Sequence, residues 1–271
     1  MVEDEGRVRV NGAELYYDVG GEGHPLVLLH DGLLDRRMWD DQFVAFARLY
    51  RTIRYDRRGY GKSSRPDRPF SDVSDLYRLL RHVGIYEAYL LGISNGGKVA
   101  LEFALEHPGM VAALMLVGPS LGGYRPSDEK QRRISEILSV ARERSAEAGV
   151  EAWMEDPFYP PAKDKPAARE RVRRIARENL PRLLSSQDLR EEPYPPTMES
   201  LSRIVAPTLI VVGERDDWNN REIASILASQ LPRAEKKVFA GCGHLVNLER
   251  PEDFYSVVAH FLGKRGYPGE S

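Results

Sequence analysis

The chain has 271 residues, of which 42% are hydrophobic and 30% are charged, and its 39 basic and 41 acidic side chains give a formal net charge of −2. This apolar share supports a packed core and argues against an intrinsically disordered chain, while the balanced charge argues against a dedicated nucleic-acid binder. The single cysteine, Cys242, excludes an intrachain disulfide framework and any multi-cysteine metal site.

The N-terminus and the hydropathy of the chain predict a soluble, cytoplasmic protein without a membrane partner. Residues 1–6 are acidic and lack the apolar stretch of a signal peptide. No run approaches the roughly 18 consecutive apolar residues of a transmembrane helix. The sequence leaves open whether the chain acts alone or as a homodimer.

Eight strands are predicted, and most of them alternate with helices. The first two, Arg7–Val10 and Glu14–Val19, alternate in polarity and flank Asn11-Gly12, which is a strong hairpin signal. Six short apolar runs predict fully buried strands: Leu26–His30, Thr52–Asp56, Ala88–Ile93, Val111–Val117, Thr208–Val212 and Lys237–Phe239. Helical patterns lie between or after them: Trp39–Leu49, Asp72–Val83, Gly96–Glu106, Arg221–Gln230 and Glu252–Leu262. This order predicts an α/β protein with a mostly parallel, eight-stranded sheet and helices on both faces.

Residues 121–200 interrupt this alternation. They contain fifteen basic and fifteen acidic residues among 80, two predicted helices at Glu129–Ala148 and Ala167–Glu178, and no convincing strand. A charge-rich helical block between two buried strands predicts a helical cap, or lid, with an ordinary surface hairpin of helices as the alternative. We therefore predict a core domain formed by residues 1–120 and 201–271 and an inserted lid formed by residues 121–200.

The sharpest motif is Gly92-Ile93-Ser94-Asn95-Gly96, a Gly-x-Ser-x-Gly pattern between a predicted strand and a predicted helix. In this context the turn is tight, and the serine projects from the carboxyl edge of the sheet. Gly92 and Gly96 are required because a side chain at either position would collide with neighbouring backbone. The amino terminus of the following helix adds partial positive charge beneath the hydroxyl. The motif predicts Ser94 as a nucleophile.

A nucleophilic serine needs a general base, and the base needs a carboxylate that orients it. For a nucleophile in this kind of turn, the acid is expected first along the chain and the histidine second. Asp216 follows the buried run that ends at Val212 and is the preferred acid, with Asp217 and Glu214 as competitors. His244 follows the last predicted strand, in a glycine-rich turn, and is the predicted base.

Acyl transfer also needs hydrogen-bond donors for the oxyanion that develops on the attacked carbonyl. One predicted donor is the amide of Asn95, directly after the nucleophile. The second comes from the loop after the third strand, where Gly32 is the preferred donor and Leu33 the alternative. No spacing of His, Asp or Glu residues indicates a metal site.

Taken together, these motifs resemble the α/β-hydrolase family, and the resemblance covers nearly the whole chain. It rests on five segments in the family's order: Leu26–Gly32, Asp56–Ser63, Gly92–Gly97, Gly213–Asp216 and Gly243-His244. The resemblance implies the α/β-hydrolase fold and no cofactor. It also implies Ser94, Asp216 and His244 as nucleophile, acid and base, and Gly32 and Asn95 as the oxyanion donors.

One position departs from the family's pattern. Asp31 stands where family members usually have a glycine after the loop histidine. Aspartate tolerates unusual φ values better than most residues, so we expect the turn to be retained. We also expect its carboxylate to add negative charge beside the oxyanion hole.

The expected activity is that of a serine hydrolase acting on a carboxylic ester or lactone of a small to medium, partly apolar substrate, similar to the enol-lactone hydrolases. Carbon–carbon bond hydrolysis and cofactor-free perhydrolysis by the same three residues are the alternatives. Ser94 argues against haloalkane dehalogenases and epoxide hydrolases, which resemble this fold but have aspartate as nucleophile. A non-catalytic ligand receptor is the alternative from another class.

The substrate pocket is predicted from aromatic and apolar residues near the motifs. These candidates are Leu33, Trp153, Phe158, Tyr159 and Trp218. Pockets for small molecules are lined mainly by such side chains. For the residues of the inserted segment, the alternative is that they form the core of the lid.

Overall fold

A computed structural model describes residues 4–186 and 189–264, and its centre is one eight-stranded sheet. The strands are β1 (Asp4–Val10), β2 (Ala13–Gly20), β3 (Pro25–Leu29), β4 (Arg51–Tyr55), β5 (Ala88–Ile93), β6 (Val111–Val117), β7 (Thr208–Gly213) and β8 (Ala234–Phe239). Their spatial order is β1-β2-β4-β3-β5-β6-β7-β8. β2 is antiparallel to both β1 and β4, and every other neighbouring pair is parallel. The predicted mostly parallel sheet is confirmed.

The first hairpin forms for the reason expected from the sequence. Asn11 and Gly12 have φ values of 47° and 79°, and a two-residue hairpin turn of the favoured type requires positive φ at both positions. The register that follows pairs Val10 with Ala13 and Val8 with Leu15, so the inward-facing residues of the two strands meet.

The last strand differs from the prediction. The run Lys237–Phe239 was expected to be fully buried, but the strand begins at Ala234 and only Phe239 is buried in it. Val238 is 48% exposed. The cause is position, because β8 lies at the edge of the sheet and pairs with β7 alone.

Helices cover both faces of the sheet, as predicted. They are α1 (Asp40–Phe46), α2 (Asp72–His82), α3 (Asn95–Glu106), α4 (Asp128–Glu143), α5 (Ala146–Met154), α6 (Pro166–Leu184), α7 (Trp218–Gln230), α8 (Val246–Glu249) and α9 (Pro251–Gly263). Alternate residues of β6 enter opposite cores: Leu114 and Leu116 pack with α2, α3 and α7, whereas Met115 and Val117 pack with α1 and α9. Burial on both faces explains why the central strands are continuous apolar runs.

The helices α4, α5 and α6 lie between β6 and β7 along the chain. The segment Glu129–Ala148 was predicted as one helix, and it forms two. α4 ends at Glu143, and the Ser145 hydroxyl accepts a hydrogen bond from the Ala148 amide at 3.1 Å. A serine in this position starts a new helix because it satisfies an amide that has no partner within the helix. Among the described residues, no helix is both long enough and apolar enough to cross a bilayer.

Candidate active site

Ser94 lies at the sharp turn between β5 and α3, at the carboxyl edge of the sheet. Its φ and ψ are 53° and −119°, a conformation that costs a residue with a side chain about 1–3 kcal/mol. The turn is tight enough to require its glycines. A Cβ at Gly92 would lie 2.4 Å from the Gly96 carbonyl oxygen, and a Cβ at Gly96 would lie 2.2 Å from the Leu29 carbonyl oxygen. The strained turn is held to the next strand by the Ser94 amide, which donates to the Val117 carbonyl at 2.9 Å.

Asp216 and His244 form a buried pair at the same edge. The Nδ1 atom of His244 lies 3.1 Å from Oδ1 and 3.0 Å from Oδ2 of Asp216, and each residue is only 1% exposed. Burial alone would lower the pKa of His244. The charge and hydrogen bond of Asp216 outweigh burial, so the pKa of the imidazole is raised above 6.5. The carboxylate therefore orients the ring and stabilises its protonated form.

The two competing carboxylates have other partners. Asp217 accepts a hydrogen bond from the Asn219 amide at 2.9 Å and caps α7. Glu214 is exposed and accepts from the Gly241 amide at 2.9 Å. Of the three candidate acids, Asp216 is the one in contact with His244.

The Val117-Gly118 backbone lies next to both Ser94 and the Asp216–His244 pair. The Ser94 amide bonds to Val117, while a Cβ at Gly118 would lie 2.7 Å from Asp216 Oδ2 and 2.9 Å from His244 Nδ1. Within the described residues the Ser94 hydroxyl and the buried Nε2 of His244 form no hydrogen bond, to each other or elsewhere. In unliganded enzymes a contact between nucleophile and base is often long and tightens only when substrate binds.

The two preferred oxyanion donors lie next to each other. A Cβ at Gly32 would lie 2.5 Å from the side-chain nitrogen of Asn95, so a side chain at this position would require Asn95 to move. Neither the Gly32 amide nor the Asn95 amide donates a hydrogen bond to any part of the chain that the structure describes. Both N–H groups remain available to an acceptor.

Asp31 binds the amide of Leu33, the alternative oxyanion donor. Its Oδ1 atom accepts hydrogen bonds from the amides of Leu33 at 2.7 Å and Leu34 at 2.9 Å. The Leu33 amide is therefore already engaged, which favours Gly32 as donor. Asp31 does not adopt a positive φ, so its tolerance for unusual backbone conformations is not used. Its carboxylate instead closes the loop that carries Gly32.

His30 supports this loop through both nitrogens of its ring. The Arg57 amide donates to His30 Nε2 at 2.9 Å, and His30 Nδ1 lies 2.8 Å from the Asp31 carbonyl oxygen. Complete burial and the nearby Arg57 charge keep the pKa of His30 well below 6.5. A neutral imidazole that accepts at Nε2 and donates at Nδ1 satisfies both contacts, which makes His30 a structural histidine.

The predicted pocket residues separate into two groups. The Tyr159 ring stands edge-on to the His244 ring at 5.1 Å, and the Phe158 carbonyl accepts from the His244 amide at 3.2 Å. Trp153 is buried in the apolar core that also contains residues of α6, and Tyr159 packs against that core as well. Trp218 is 45% exposed at the start of α7. Leu33 is half-buried against the same core as Trp153. The inserted segment thus reaches the candidate base through Phe158 and Tyr159.

Two contacts of the Asp216–His244 pair were not predicted. Asn220 donates from its side-chain nitrogen to Asp216 Oδ1 at 2.8 Å and lies 3.1 Å from His244 Nδ1. Lys130, from α4, donates to the side-chain oxygen of Asn220 at 2.9 Å. Asn220 lies in the first turn of α7, four residues after Asp216, and this short separation is a signal that sequence reasoning missed. No local pattern identifies Lys130, which is remote in sequence.

The described residues include no group of three or more His, Cys, Asp or Glu side chains placed to hold a metal ion. Cys242 is buried two residues before His244, and burial raises the pKa of its thiol. A raised thiol pKa reduces the thiolate fraction and hence the reactivity of the cysteine.

Comparison with known proteins supports the fold. A model of the alpha/beta hydrolase family matches residues 26–257. The chain is 29% identical to a 2-hydroxy-6-oxononadienedioate/2-hydroxy-6-oxononatrienedioate hydrolase of Burkholderia vietnamiensis, over 97% of this chain and 93% of the relative. An esterase of Rhodococcus sp. ECU1013 superposes with a TM-score of 0.82 at 27% identity, over 98% of this chain and 100% of that one.

A third protein shares the fold alone. The enol-lactonase of Burkholderia xenovorans LB400 superposes with a TM-score of 0.76 at 23% identity, over 95% of this chain and 100% of that one. The segment that the family model matches begins in β3 and ends in α9, so it contains the turn at Ser94, the Asp216 loop and His244. The chain therefore belongs to the alpha/beta hydrolase family.

Proposed function

We propose that this protein is a serine hydrolase that cleaves a carboxylic ester or lactone of a small to medium, partly apolar substrate. The observation that carries the proposal is the buried Asp216–His244 pair beside a strained turn that holds Ser94. Strain of this kind persists only where the surrounding structure enforces it, and it is concentrated at functional sites. The likeness to the Rhodococcus esterase supports the ester as substrate class.

The proposed reaction proceeds through an acyl-enzyme. His244 Nε2 takes the proton from the Ser94 hydroxyl as its oxygen attacks the carbonyl carbon, and the oxyanion is bound by the amides of Gly32 and Asn95. His244 then donates this proton to the leaving oxygen. In the second half it activates a water molecule that hydrolyses the acyl-enzyme. Asp216 keeps Nδ1 protonated and stabilises the imidazolium in both halves.

Two observations fit this assignment of roles. His244 Nε2 is buried and makes no hydrogen bond within the described residues, so its lone pair is free to accept a proton. The amides of Gly32 and Asn95 are likewise unengaged there. Losing one such donor typically costs about 2.7–4 kcal/mol of transition-state stabilisation.

We propose that residues 121–200 form a lid over a core domain of residues 1–120 and 201–271, and that Phe158 and Tyr159 line the substrate pocket. This proposal is supported by their contacts with His244. Trp153 is better explained as a core residue of the lid, since it packs with α6. Trp218 and Leu33 stay candidate pocket residues.

The test is covalent labelling with a fluorophosphonate, read by intact mass and peptide mapping. We expect one adduct on Ser94 in the parent protein and none in Ser94→Ala, which should also lose esterase turnover by several orders of magnitude. Ser120→Ala is a matched control, because Ser120 also follows a central strand but is not in the turn. Absence of an adduct at high probe concentration would favour a ligand receptor without catalytic activity.

Carbon–carbon bond hydrolysis is the second candidate, because the Burkholderia vietnamiensis relative is named as a hydrolase of 2-hydroxy-6-oxononadienedioate, a compound whose name includes no ester or lactone bond for water to cleave. The same three side chains would serve, since that reaction also passes through attack on a carbonyl. Cofactor-free perhydrolysis would use hydrogen peroxide in place of water. Turnover of p-nitrophenyl esters, enol-lactones and a vinylogous diketone, compared by kcat/KM, separates ester, lactone and carbon–carbon bond hydrolysis.

A further inference from the structure

Lys130 connects the inserted segment to the Asp216–His244 pair. It lies on α4, is half-buried, and donates from Nζ to the Asn220 side-chain oxygen at 2.9 Å. Asn220 lies on α7 and is 2% exposed. Burial lowers the pKa of Lys130, and the charges of Asp217 and Asp216 oppose this shift. An ammonium in such surroundings needs a specific acceptor, and Asn220 is that acceptor.

The contact determines which way the Asn220 amide faces. An ammonium only donates hydrogen bonds, so Lys130 holds the amide oxygen on its own side and directs the NH2 group towards Asp216 Oδ1, 2.8 Å away. With the amide turned over, its oxygen would face the carboxylate of Asp216 and its NH2 group would face the ammonium. These two contacts of the reversed amide would be repulsive, and they outnumber its one favourable contact, which is the approach of its oxygen to the His244 Nδ1 proton. Lys130 therefore selects the orientation that supports Asp216.

Lys130 also contributes charge at the ring of His244. Asp216 and Asp31 both raise the pKa of His244, whereas Lys130 lowers it. The other neighbours add little net charge. Tyr159 presents a neutral ring to His244, and Arg133 is paired with both Asp156 and Asp217. The Glu249 carboxylate accepts a hydrogen bond from the amide of Gly243, the residue before His244.

We propose that Lys130 is a positioning residue for the Asp216–His244 pair, acting through Asn220. Its hydrogen bond orients the amide that supports the carboxylate, and its charge tunes the basicity of the imidazole. Because α4 belongs to the inserted segment, the pair reaches its working geometry only when this segment is seated on α7. The inference rests on the proposed serine hydrolase mechanism for its effect on rate, and it has a second readout that is independent of activity.

The independent readout is the titration of His244, followed by the nitrogen resonances of its ring in a Ser94→Ala background and assigned by comparison with His244→Gln. In Lys130→Met, which keeps the apolar stem and removes the charge, we expect the midpoint to rise by about half a pH unit or more. Lys130→Arg keeps a charged donor and should titrate like the parent. Lys163→Met is the matched control, since Lys163 is an exposed lysine of the same segment that pairs with Glu155.

The rate readout is the second-order rate of fluorophosphonate labelling at Ser94. We expect a loss on the order of ten-fold in Lys130→Met, because misplacement of a catalytic group by a fraction of an ångström is costly. Lys130→Gln restores a neutral donor, so it should recover the labelling rate without recovering the midpoint of the His244 titration. This variant also replaces Lys130→Met in the test if Lys130→Met fails to fold.

The two proposals fail in distinguishable ways. A His244 midpoint and a labelling rate in Lys130→Met that match the parent and Lys163→Met would overturn the role of Lys130 and leave the hydrolase proposal intact. A parent protein that is never labelled would overturn the hydrolase proposal, while the titration would still report on Lys130.

Discussion

Arg133 lies in an ion cluster that joins α4 to the loop of the candidate acid, and its removal gives the most quantitative prediction. The guanidinium pairs with Asp156 at 2.6 Å and with Asp217. The side chains of the two aspartates are 0% and 2% exposed, against 17% for Arg133. Arg133→Met retains most of the apolar packing of the stem but leaves two buried carboxylates without their cation.

The expected loss follows from this burial. Breaking a buried ion pair costs about 3–5 kcal/mol, and we expect about 3 kcal/mol because the site of Arg133 is partly open to water. For a protein of this size, each kcal/mol lowers Tm by about 2–4 °C, so Arg133→Met should melt about 6–12 °C below the parent. Urea denaturation followed by circular dichroism gives the free energy of unfolding directly.

Arg173→Met is the matched control on the same segment. Arg173 contacts Glu151 and Glu170 at 3.2 Å each, but these carboxylates are 45% and 69% exposed. Exposed pairs contribute about 0–1 kcal/mol, so this variant should stay within about 1 kcal/mol of the parent. Equal losses in Arg133→Met and Arg173→Met would refute the argument from burial.

The difference between parent and Arg133→Met should also depend on pH. Burial alone would raise the pKa of Asp217, but hydrogen bonds from Asn219 and Arg133 and the charge of Lys130 outweigh it, so the pKa of Asp217 lies below 3.8. A carboxylate whose pKa is lowered by folding contributes stability above its unfolded pKa, and this contribution is lost as the pH falls through the folded value. The stability gap between the two proteins should therefore be largest near neutrality and shrink below about pH 4. A gap that does not change with pH would contradict the assignment to Asp217.

Five further outcomes are expected. Gly118→Ala places a Cβ 2.7 Å from Asp216 Oδ2, so ester turnover should fall about a hundred-fold, and retention of half the parent rate would contradict this geometry. Because Asp216 raises the pKa of His244 and the base acts when neutral, kcat/KM should rise with pH through a midpoint above 6.5. The same shift stabilises the fold below pH 6.5, and this contribution is lost as the pH rises through the folded pKa, which pH-dependent unfolding would detect. Asp31→Asn keeps an acceptor for the loop amides but removes a charge that raises the pKa of His244, so the kcat/KM midpoint should move to lower pH. Tyr159→Ala should change the preferred acyl length of p-nitrophenyl esters, whereas Trp153→Ala, in the core, should lower stability without changing that preference.

The sequence alone was sufficient for the sheet and the turn at Ser94, because these depend on local patterns. Apolar runs identified six strands and alternating polarity identified the first two. Asn11-Gly12 identified the hairpin because few residues accept positive φ at two successive positions. The glycines around Ser94 were informative for a steric reason, since the turn leaves no space for a Cβ at Gly92 or Gly96.

The sequence was misleading where position in the fold decides burial or continuity. The apolar residues of Lys237–Phe239 predict a buried strand, but β8 pairs with a neighbour on one side only, which leaves most of it exposed. The helical pattern of Glu129–Ala148 runs through Ser145, whose side chain caps a second helix.

Tertiary structure alone decided how the candidate site is supported. The sequence left Asp217 and Glu214 as competitors of Asp216, and only the fold brings the carboxylate of Asp216 within 3.0 Å of His244 and pairs Asp217 with Arg133. Lys130 and Asn220 are 90 residues apart, and no periodicity relates them. Local conformational preference thus determined the elements and the reactive turn, whereas electrostatic contacts between remote segments determined which charged groups meet at it.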